Sequence, residues 1–201
     1  MTSDERLASM LYFSGESVVV TEKMDGENSC ILPGGRYHAR SPDSGPAPWR
    51  THLAALAYRV GKELPDGWML FGENVYAKHS IAYDDLLAYF LGFSIWDREW
   101  CYSWDDTMEW FSLLDVVNVP IIYEGIYNRA TIEWVFENYS KSRGREVEGY
   151  VVRCRRGFLS ASFKENVAKY VRAGHVQTDE RWERSWAPNK LLKDRNGTNA
   201  E

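Results

Sequence analysis

The sequence has no long run of apolar residues, and its first residues lack a basic segment followed by an apolar one. A membrane-spanning helix needs about 18 or more consecutive apolar residues, and a secretory signal needs the basic-then-apolar pattern. We therefore expect a chain that is neither inserted into a membrane nor secreted.

Cysteine is scarce, with 3 residues at positions Cys30, Cys101 and Cys154. An odd number of widely spaced cysteines fits neither a disulfide framework nor a zinc site. We expect the protein to work in the reducing cytoplasm.

Positive charge is in deficit, with 24 Lys and Arg against 29 Asp and Glu. This balance argues against a polyanionic partner, but residues 141–195 carry 14 Lys and Arg against 7 Asp and Glu. A local basic face can bind nucleic acid on a protein that is acidic overall. The run 141–145 is either part of such a face or a solvated loop.

The 201 residues are 44% hydrophobic and 26% charged, which is typical of one globular domain. Short β-branched or aromatic stretches alternate with amphipathic ones, which predicts an α+β fold with antiparallel sheets. The predicted strands are Val18–Thr21, Ser29–Leu32, Arg36–Arg40, Trp68–Gly72, Leu91–Trp96, Val119–Tyr123, Gly149–Cys154 and Ser160–Lys164. The predicted helices are Trp49–Leu64, Trp104–Leu114 with a Ser103/Asp106 capping box, and Thr131–Tyr139.

The most informative segment is Glu22-Lys23-Met24-Asp25-Gly26-Glu27-Asn28, which follows the β-branched run 17–21. Lysine has a reference pKa of about 10.4, so it must lose a proton before it can attack. Burial beside a second cation favours that loss. A lysine at the end of a buried strand, followed by a carboxylate and a glycine turn, therefore indicates a nucleophile for phosphorus or carbonyl groups, although Asp-Gly alone is also an ordinary turn signal.

Further motifs follow the lysine in a fixed order. They are Tyr37-His38-Ala39-Arg40-Ser41, Phe71-Gly72-Glu73-Asn74, Phe93-Ser94-Ile95-Trp96-Asp97, Glu148-Gly149-Tyr150-Val151-Val152-Arg153, and Phe163-Lys164 with Ala168-Lys169-Tyr170-Val171-Arg172. Together they resemble the covalent nucleotidyltransferase superfamily of ATP-dependent ligases and capping enzymes. Within it, the chain is most similar to RNA ligases of the RNA ligase 2 type.

The resemblance implies a nucleotidyltransferase domain, similar to an ATP-grasp, in which two antiparallel sheets clasp the nucleotide and helices lie outside. It implies an ATP-dependent RNA ligase that uses Mg²⁺ or Mn²⁺ and seals 5′-phosphate and 3′-hydroxyl RNA ends through lysyl-AMP. The alternatives are a DNA ligase, a GTP-using capping enzyme, and a non-catalytic protein that binds nucleic-acid ends.

The resemblance also implies roles for individual residues around the nucleotide. Lys23 would be the nucleophile, with Asp25 positioning it or its bound cation and the backbone of Glu22 contacting adenine. Phe93 would stack on the base, on a strand expected to turn Leu91, Phe93 and Ile95 to one side; simple core packing is the alternative. Glu148 would hold the metal and Glu73 the ribose or the metal; the alternative for both is a structural pair with an arginine such as Arg153.

Asn28 and Arg40 match residues that hold the adenylated 5′-phosphate in RNA ligase 2 type enzymes, which favours a ligase over a capping enzyme. Lys164, Lys169 and Arg172 are the candidate phosphate-binding cations, and Arg172 is also a nucleic-acid contact. The family has two lysines separated by a single residue on one strand, so that both point to the same face. Lys164 and Lys169 are five positions apart, and Lys169 is the better match.

Many relatives have an additional C-terminal domain. Only 29 residues follow Arg172 here, so we expect a single catalytic domain over residues 1–201 without an appended OB-type domain. Trp182 and Trp186, interleaved with Arg181 and Arg184, are candidates for stacking on nucleic acid.

Overall fold

Ten strands form two antiparallel sheets in the computed structural model, which describes residues 12–40, 45–172 and 186–192. In chain order they are β1 (Ser17–Glu22), β2 (Glu27–Leu32), β3 (Arg36–His38), β4 (Trp68–Asn74), β5 (Phe90–Asp97), β6 (Trp100–Cys101), β7 (Ile121–Ile126), β8 (Gly149–Cys154), β9 (Phe158–Leu159) and β10 (Val167–Val171). The first sheet has the order β10-β8-β1-β7 and the second the order β3-β2-β4-β5-β6-β9.

Four α-helices accompany the sheets in the described residues: α1 (Thr51–Val60), α2 (Trp104–Leu113), α3 (Arg129–Ser142) and α4 (Phe163–Asn166). Side-chain caps explain where two of them begin. Ser103 accepts a hydrogen bond from the Asp106 N–H at the start of α2, and Asn128 accepts one from Thr131 N–H at the start of α3. The expected α+β class is confirmed. Within the described residues, no helix has the length and apolar character needed to cross a bilayer.

The core follows from the alternation of side chains along each strand. Val18 and Val20 of β1 pack with Ile132 and Phe136 of α3 on the outer face of the first sheet. The outer face of the second sheet packs against α1 and α2. Val19 points the other way, into a cluster that includes Leu91 of β5. The two sheets therefore face each other, and the helices α1, α2 and α3 lie on the outside.

Arg153 of β8 connects the two sheets. Its guanidinium donates to the carbonyls of Phe93 (3.0 Å) and Tyr102 (2.9 Å), and it lies over the Trp104 ring. The residue is 6% exposed. The hypothesis that Arg153 pairs with Glu73 or Glu148 is therefore wrong, because its donors are directed at backbone carbonyls of the second sheet and the chain that follows it.

Some predicted elements differ from the observed ones. The predicted strand Ser160–Lys164 is wrong, because residues 160–162 form a 3-10 turn and α4 follows. The Asn166 amide donates to the Ser162 carbonyl and hydroxyl, which closes this turn. The strand predicted over Val119–Tyr123 begins later, since Val119 N–H donates to the Gly92 carbonyl of the second sheet. The strands β6 and β9, each of two residues, are too short to give a sequence signal.

Candidate active site

Lys23 lies directly after β1, on the side of the first sheet that faces the second. Val19, Thr21 and Lys23 alternate with Val18 and Val20, so they point away from α3. The Lys23 N–H donates to the Gly149 carbonyl at 3.0 Å, which extends the ladder between β1 and β8 by one residue. The lysine side chain is 23% exposed. It therefore lies in the cleft between the sheets and is partly exposed to solvent.

The described partner of the Lys23 amine is a carboxylate. Lys23 Nζ lies 2.7 Å from Glu148 Oε2, and the Glu148 side chain is 7% exposed. Glu148 directly precedes β8, and its carbonyl accepts a hydrogen bond from Arg172 N–H. The expectation of a second cation beside the lysine is not met by this contact, which is an ion pair.

Glu73 of β4 completes the charged group. The pKa of Glu73 is raised to about 8, chiefly by burial; Lys23 lowers it, the carboxylates of Glu148 and Asp25 raise it, and a hydrogen bond from Gly26 N–H lowers it. Glu73, Glu148, Asp25 and Lys23 therefore lie close enough to interact electrostatically. One amine thus lies near three acidic side chains, of which the buried Glu73 keeps its proton up to a pH of about 8.

Gly26 allows the turn that follows Lys23, here named the lysine turn, to approach β4. A Cβ at this position would lie 2.6 Å from the Asn74 carbonyl oxygen and 3.0 Å from Glu73 Cγ. Contacts this short are not tolerated against backbone. Glycine is therefore required here for close packing, which explains the Asp-Gly pair that follows Met24 in the sequence.

Asp25 holds the turn that follows the lysine. Its Oδ2 accepts hydrogen bonds from Ser80 N–H (2.8 Å), Ser80 Oγ–H (2.7 Å) and Ile81 N–H (2.7 Å). Its own N–H donates to the Tyr83 hydroxyl at 2.8 Å. The carboxylate is thus directed at the loop 75–86. The positioning role predicted for Asp25 would therefore act through this loop.

Phe93 sits at a bulge of β5. Phe71 of β4 is opposite Ser94, whereas Gly72 is opposite Gly92, so Phe93 is the extra residue. The bulge interrupts the alternation: Leu91 and Phe93 pack in the cluster with Val19, but Ile95 packs on the other face of the sheet. The prediction that all three share a side is therefore wrong. Bulges often redirect a side chain next to a functional site, and the partly buried Phe93 faces the cleft.

Asn28 and Arg40 lie on the second sheet. Asn28 of β2 is opposite Glu73 of β4, so their side chains share a face. Arg40 is exposed and follows β3 by two residues. The pairing of β2 with β3 ends at Cys30 and His38, so Arg40 lies just beyond this ladder.

Of the three candidate phosphate-binding cations, Lys169 shares a face with Lys23. Lys169 is opposite Val151, which is opposite Thr21, so all three side chains are on the side of the first sheet that carries Lys23. Lys164 is exposed on α4, outside both sheets. Arg172 is exposed just after β10 and forms an ion pair with Glu146 at 3.5 Å.

A buried ion-pair network behind Lys23 was missed by the sequence reasoning. The Glu22 side chain is fully buried; it accepts hydrogen bonds from Arg145 Nη1 (2.7 Å) and the Tyr139 hydroxyl (2.5 Å). Arg145 and Arg143 also contact Asp85. Arg143 and Arg145 are therefore neither a solvated loop nor a phosphate-facing surface. The available signal was Glu22 itself, since a charge in a buried strand needs a partner.

Of the residues predicted to stack on nucleic acid or to lie beside such a contact, Trp186 is the one that the structure describes. Its ring packs against Trp49 (6.1 Å between centroids) and Tyr76 (5.7 Å). Trp182, Arg181 and Arg184 lie outside the described residues.

Comparison with known proteins adds to this geometry. The sequence model of the RNA ligase family matches residues 16–171. Among solved structures, a mutant of the Naegleria gruberi RNA ligase with ATP and Mn aligns with a TM-score of 0.55 and 16% identity, over 80% of this chain and 54% of that chain. Another mutant of the same ligase, with AMP and Mn, aligns with a TM-score of 0.55 and 17% identity, over 80% of this chain and 54% of that chain.

A putative ATP-dependent DNA ligase from Aquifex aeolicus aligns with a TM-score of 0.57 and 21% identity, over 83% of this chain and 46% of that chain. The chain thus spans about half the length of these structures. At such low identities the structural likeness establishes the fold alone. No curated protein matches the sequence.

Proposed function

The chain belongs to the RNA ligase family, and from this premise we propose that it is an ATP-dependent RNA ligase that seals 5′-phosphate and 3′-hydroxyl ends through lysyl-AMP. The observation that carries the proposal is the position of Lys23, whose amine lies in the cleft between the sheets, 2.7 Å from a carboxylate oxygen of Glu148. Glu148 holds the amine in position and is the hydrogen-bonded acceptor for the proton that the amine must lose before it can attack phosphorus.

In the first step, the Lys23 nitrogen attacks the α-phosphorus of ATP. An N–P bond forms, the bond from this phosphorus to the bridging oxygen breaks, and pyrophosphate leaves. The amine gives up a proton, for which Glu148 Oε2 is the hydrogen-bonded acceptor. Phosphoryl chemistry depends mainly on positioning and on preorganised charge. We assign the contact with the phosphates to Lys169, because it shares the Lys23 face, and adenine stacking to Phe93.

A divalent cation fits the charge of this site. The raised pKa of Glu73 results from burial and from two neighbouring carboxylates, and a cation would relieve that repulsion. Within the described residues, no three His, Cys, Asp or Glu side chains form a ready-made metal cage. Mg²⁺ is commonly held by one or two carboxylates with phosphate oxygens and waters, so we propose Glu148 and Glu73 as its protein ligands. When bound, the cation would stabilise negative charge on the phosphates.

In the second step, an oxygen of the RNA 5′-phosphate attacks the adenylyl phosphorus, the N–P bond breaks and Lys23 takes back a proton. In the third, the 3′-hydroxyl attacks the 5′-phosphorus, loses its proton, and AMP leaves. We assign the hold on the 5′-phosphate to Asn28 and Arg40, since an arginine fork binds two phosphate oxygens. Arg172 would contact the strand.

DNA ligation is the second candidate activity, and the likeness to the putative DNA ligase from Aquifex aeolicus favours it. RNA and DNA ends present the same phosphate and hydroxyl groups, so the residues assigned above would serve either substrate. The family match supports RNA as the first candidate.

The test is incubation with α-labelled ATP and Mg²⁺, followed by denaturation, for the wild type and the Lys23→Arg variant. We expect label on the wild type alone, and then sealing of RNA ends. Label from GTP instead of ATP would indicate a capping enzyme. RNA binding without label, also with Mn²⁺ or at higher pH, would contradict the proposal and indicate a binding protein. Matched RNA and DNA strands decide between the two ligase activities.

Two further assignments complete the proposal. One domain would carry the chemistry, since both sheets contribute residues to one cleft.

The reaction would take place in a reducing compartment such as the cytoplasm, because Cys30, Cys101 and Cys154 are free and buried. Burial raises the pKa of the Cys30 thiol to about 12 and that of Cys101 to about 11, which keeps both unreactive.

A further inference from the structure

Residues 186–192, which we name the C-terminal strap, lie outside the part of the chain that matches the RNA ligase family. The strap runs along the loop 75–86 and is joined to it by backbone hydrogen bonds. These are Lys78 N–H to Ala187 O (2.8 Å), Asn189 N–H to Tyr76 O (2.8 Å), Lys190 N–H to Tyr83 O (2.9 Å) and Leu192 N–H to Leu86 O (2.8 Å). The strap therefore fixes the course of this loop.

Asn189 is the buried polar centre of this contact, with 4% of the residue exposed. Its Nδ2 donates to the carbonyls of Val75 (2.8 Å) and Ala77 (3.4 Å), and its Oδ1 accepts from Tyr83 N–H (2.9 Å). One side chain thus satisfies backbone groups at both ends of a nine-residue stretch of the loop. The side-chain amide supplies two N–H donors and a carbonyl acceptor, and this arrangement uses all of them.

The loop in turn holds the residues around the nucleophile. Ser80 and Ile81 donate to the Asp25 carboxylate, and the Tyr83 hydroxyl accepts from Asp25 N–H. Met24 and Tyr83 are buried in one apolar cluster, and Leu191 of the strap packs against it. A continuous set of contacts therefore runs from Asn189 through the loop to the residues on the C-terminal side of Lys23.

We propose that Asn189 is a positioning residue for Lys23, acting through the loop 75–86 and Asp25. The role rests on the proposed adenylation of Lys23 and extends the reaction machinery to a segment beyond the family match. Misplacing a nucleophile by about 1 Å can lower a rate up to a hundredfold without loss of the fold. Asn189 is expected to affect the rate of adenylation and to leave the affinity for ATP largely unchanged, since its hydrogen bonds go to the loop and not to Phe93 or Lys169.

The test compares Asn189→Ala with Asn128→Ala. Asn128 caps the start of α3 and not the loop 75–86. Its replacement therefore lowers stability without removing a contact to that loop. Amide hydrogen exchange is measured at Ser80 and Ile81, and single-turnover adenylation is measured over a range of ATP concentrations at a temperature where both variants are folded.

For Asn189→Ala we expect faster exchange at Ser80 and Ile81 and a fall in the saturating adenylation rate of about tenfold or more, with little change in the half-saturating ATP concentration. Asn128→Ala should retain both wild-type properties. Unchanged exchange at Ser80 and Ile81, or a saturating rate no lower than that of Asn128→Ala, would overturn the proposal. If the wild type takes no label, the proposed function fails, and the exchange result alone then supports or overturns the link between the strap and the lysine turn.

Discussion

Lys23 extends from the end of β1 into a group of carboxylates that repel one another. The Lys23 amine pairs with Glu148 at 2.7 Å. The crowding of acidic groups affects the pKa of Glu73. Burial, Glu148 and Asp25 all raise the pKa of Glu73, and its value of about 8 is far from the usual 4.5. Strong perturbation of this kind is typical of functional sites. At this scale the site holds a carboxyl group whose ionised form would be stabilised by a bound cation.

Replacing Glu73 with glutamine should change how stability depends on pH. In the folded protein Glu73 keeps its proton up to a pH of about 8, whereas in the unfolded chain it loses the proton near 4.5. The unfolded state is therefore favoured increasingly as the pH rises through this window. The free energy of unfolding of Glu73→Gln, relative to wild type, should rise from pH 4.5 to pH 8 by at least about 2 kcal/mol, as measured by urea denaturation.

Titrating groups that do not interact with Glu73 are common to both proteins and cancel in this comparison. Mg²⁺ should stabilise the wild type more than Glu73→Gln, because only the carboxylate attracts the cation. Parallel pH profiles, together with equal responses to Mg²⁺, would contradict the electrostatic account of Glu73.

At the scale of elements, the end of β1 is held from behind by α3 and the chain that follows it. The Glu22 carboxylate, fully buried, is satisfied by Arg145 and Tyr139. The adjacent Lys23 points to the opposite face of the sheet. The buried pair thus fixes the backbone from which the nucleophile extends, and breaking it leaves an uncompensated buried charge.

Arg145→Met should destabilise the protein by about 3–5 kcal/mol, since Glu22 loses its ionic partner inside the protein. Arg129→Met is the matched control, because Arg129 forms an exposed i,i+4 pair with Glu133 at 2.7 Å and such pairs contribute little. Chemical denaturation of both variants gives the comparison. Equal effects of the two substitutions would show that burial of the Glu22 pair is energetically unimportant.

The sequence predicted the elements whose signals are local. The run Val18–Val20 predicted β1, the Ser103 cap predicted the start of α2, and the ordered motifs predicted the family and the α+β fold. The bulge at Phe93 could not be predicted, because it depends on the pairing of β5 with β4. Likewise, the pairs formed by Arg143 and Arg145 connect residues about 60 or more positions apart, and a charge run alone does not identify such partners.

At the scale of the whole molecule, an acidic protein carries its basic residues mainly in its last third. Part of this charge is used internally, by Arg143, Arg145 and Arg153. Lys169 and Arg172 remain exposed along β10 and just after it. The basic surface offered to a nucleic acid is therefore smaller than the count of Lys and Arg indicates.

Arg172→Ala should weaken binding of single-stranded RNA and flatten its dependence on salt. Each phosphate contact contributes about 0.7 to the slope of log affinity against log salt concentration for single strands. Arg98→Ala is the control. Arg98 is an exposed arginine on the turn between β5 and β6, and it pairs with Asp97, the last residue of β5. Fluorescence anisotropy at several salt concentrations measures the slope. A slope equal to that of Arg98→Ala would exclude Arg172 from phosphate contact.

The central claim is that Lys23 is the residue that receives the adenylyl group. Peptide mass spectrometry of the protein after incubation with ATP and Mg²⁺ tests it most directly. The account predicts one adenylate, attached to the Lys23 side chain and released when pyrophosphate is added. Adenylate on another residue, such as Lys169, or full sealing activity in a protein whose Lys23 remains unmodified and dispensable, would contradict it.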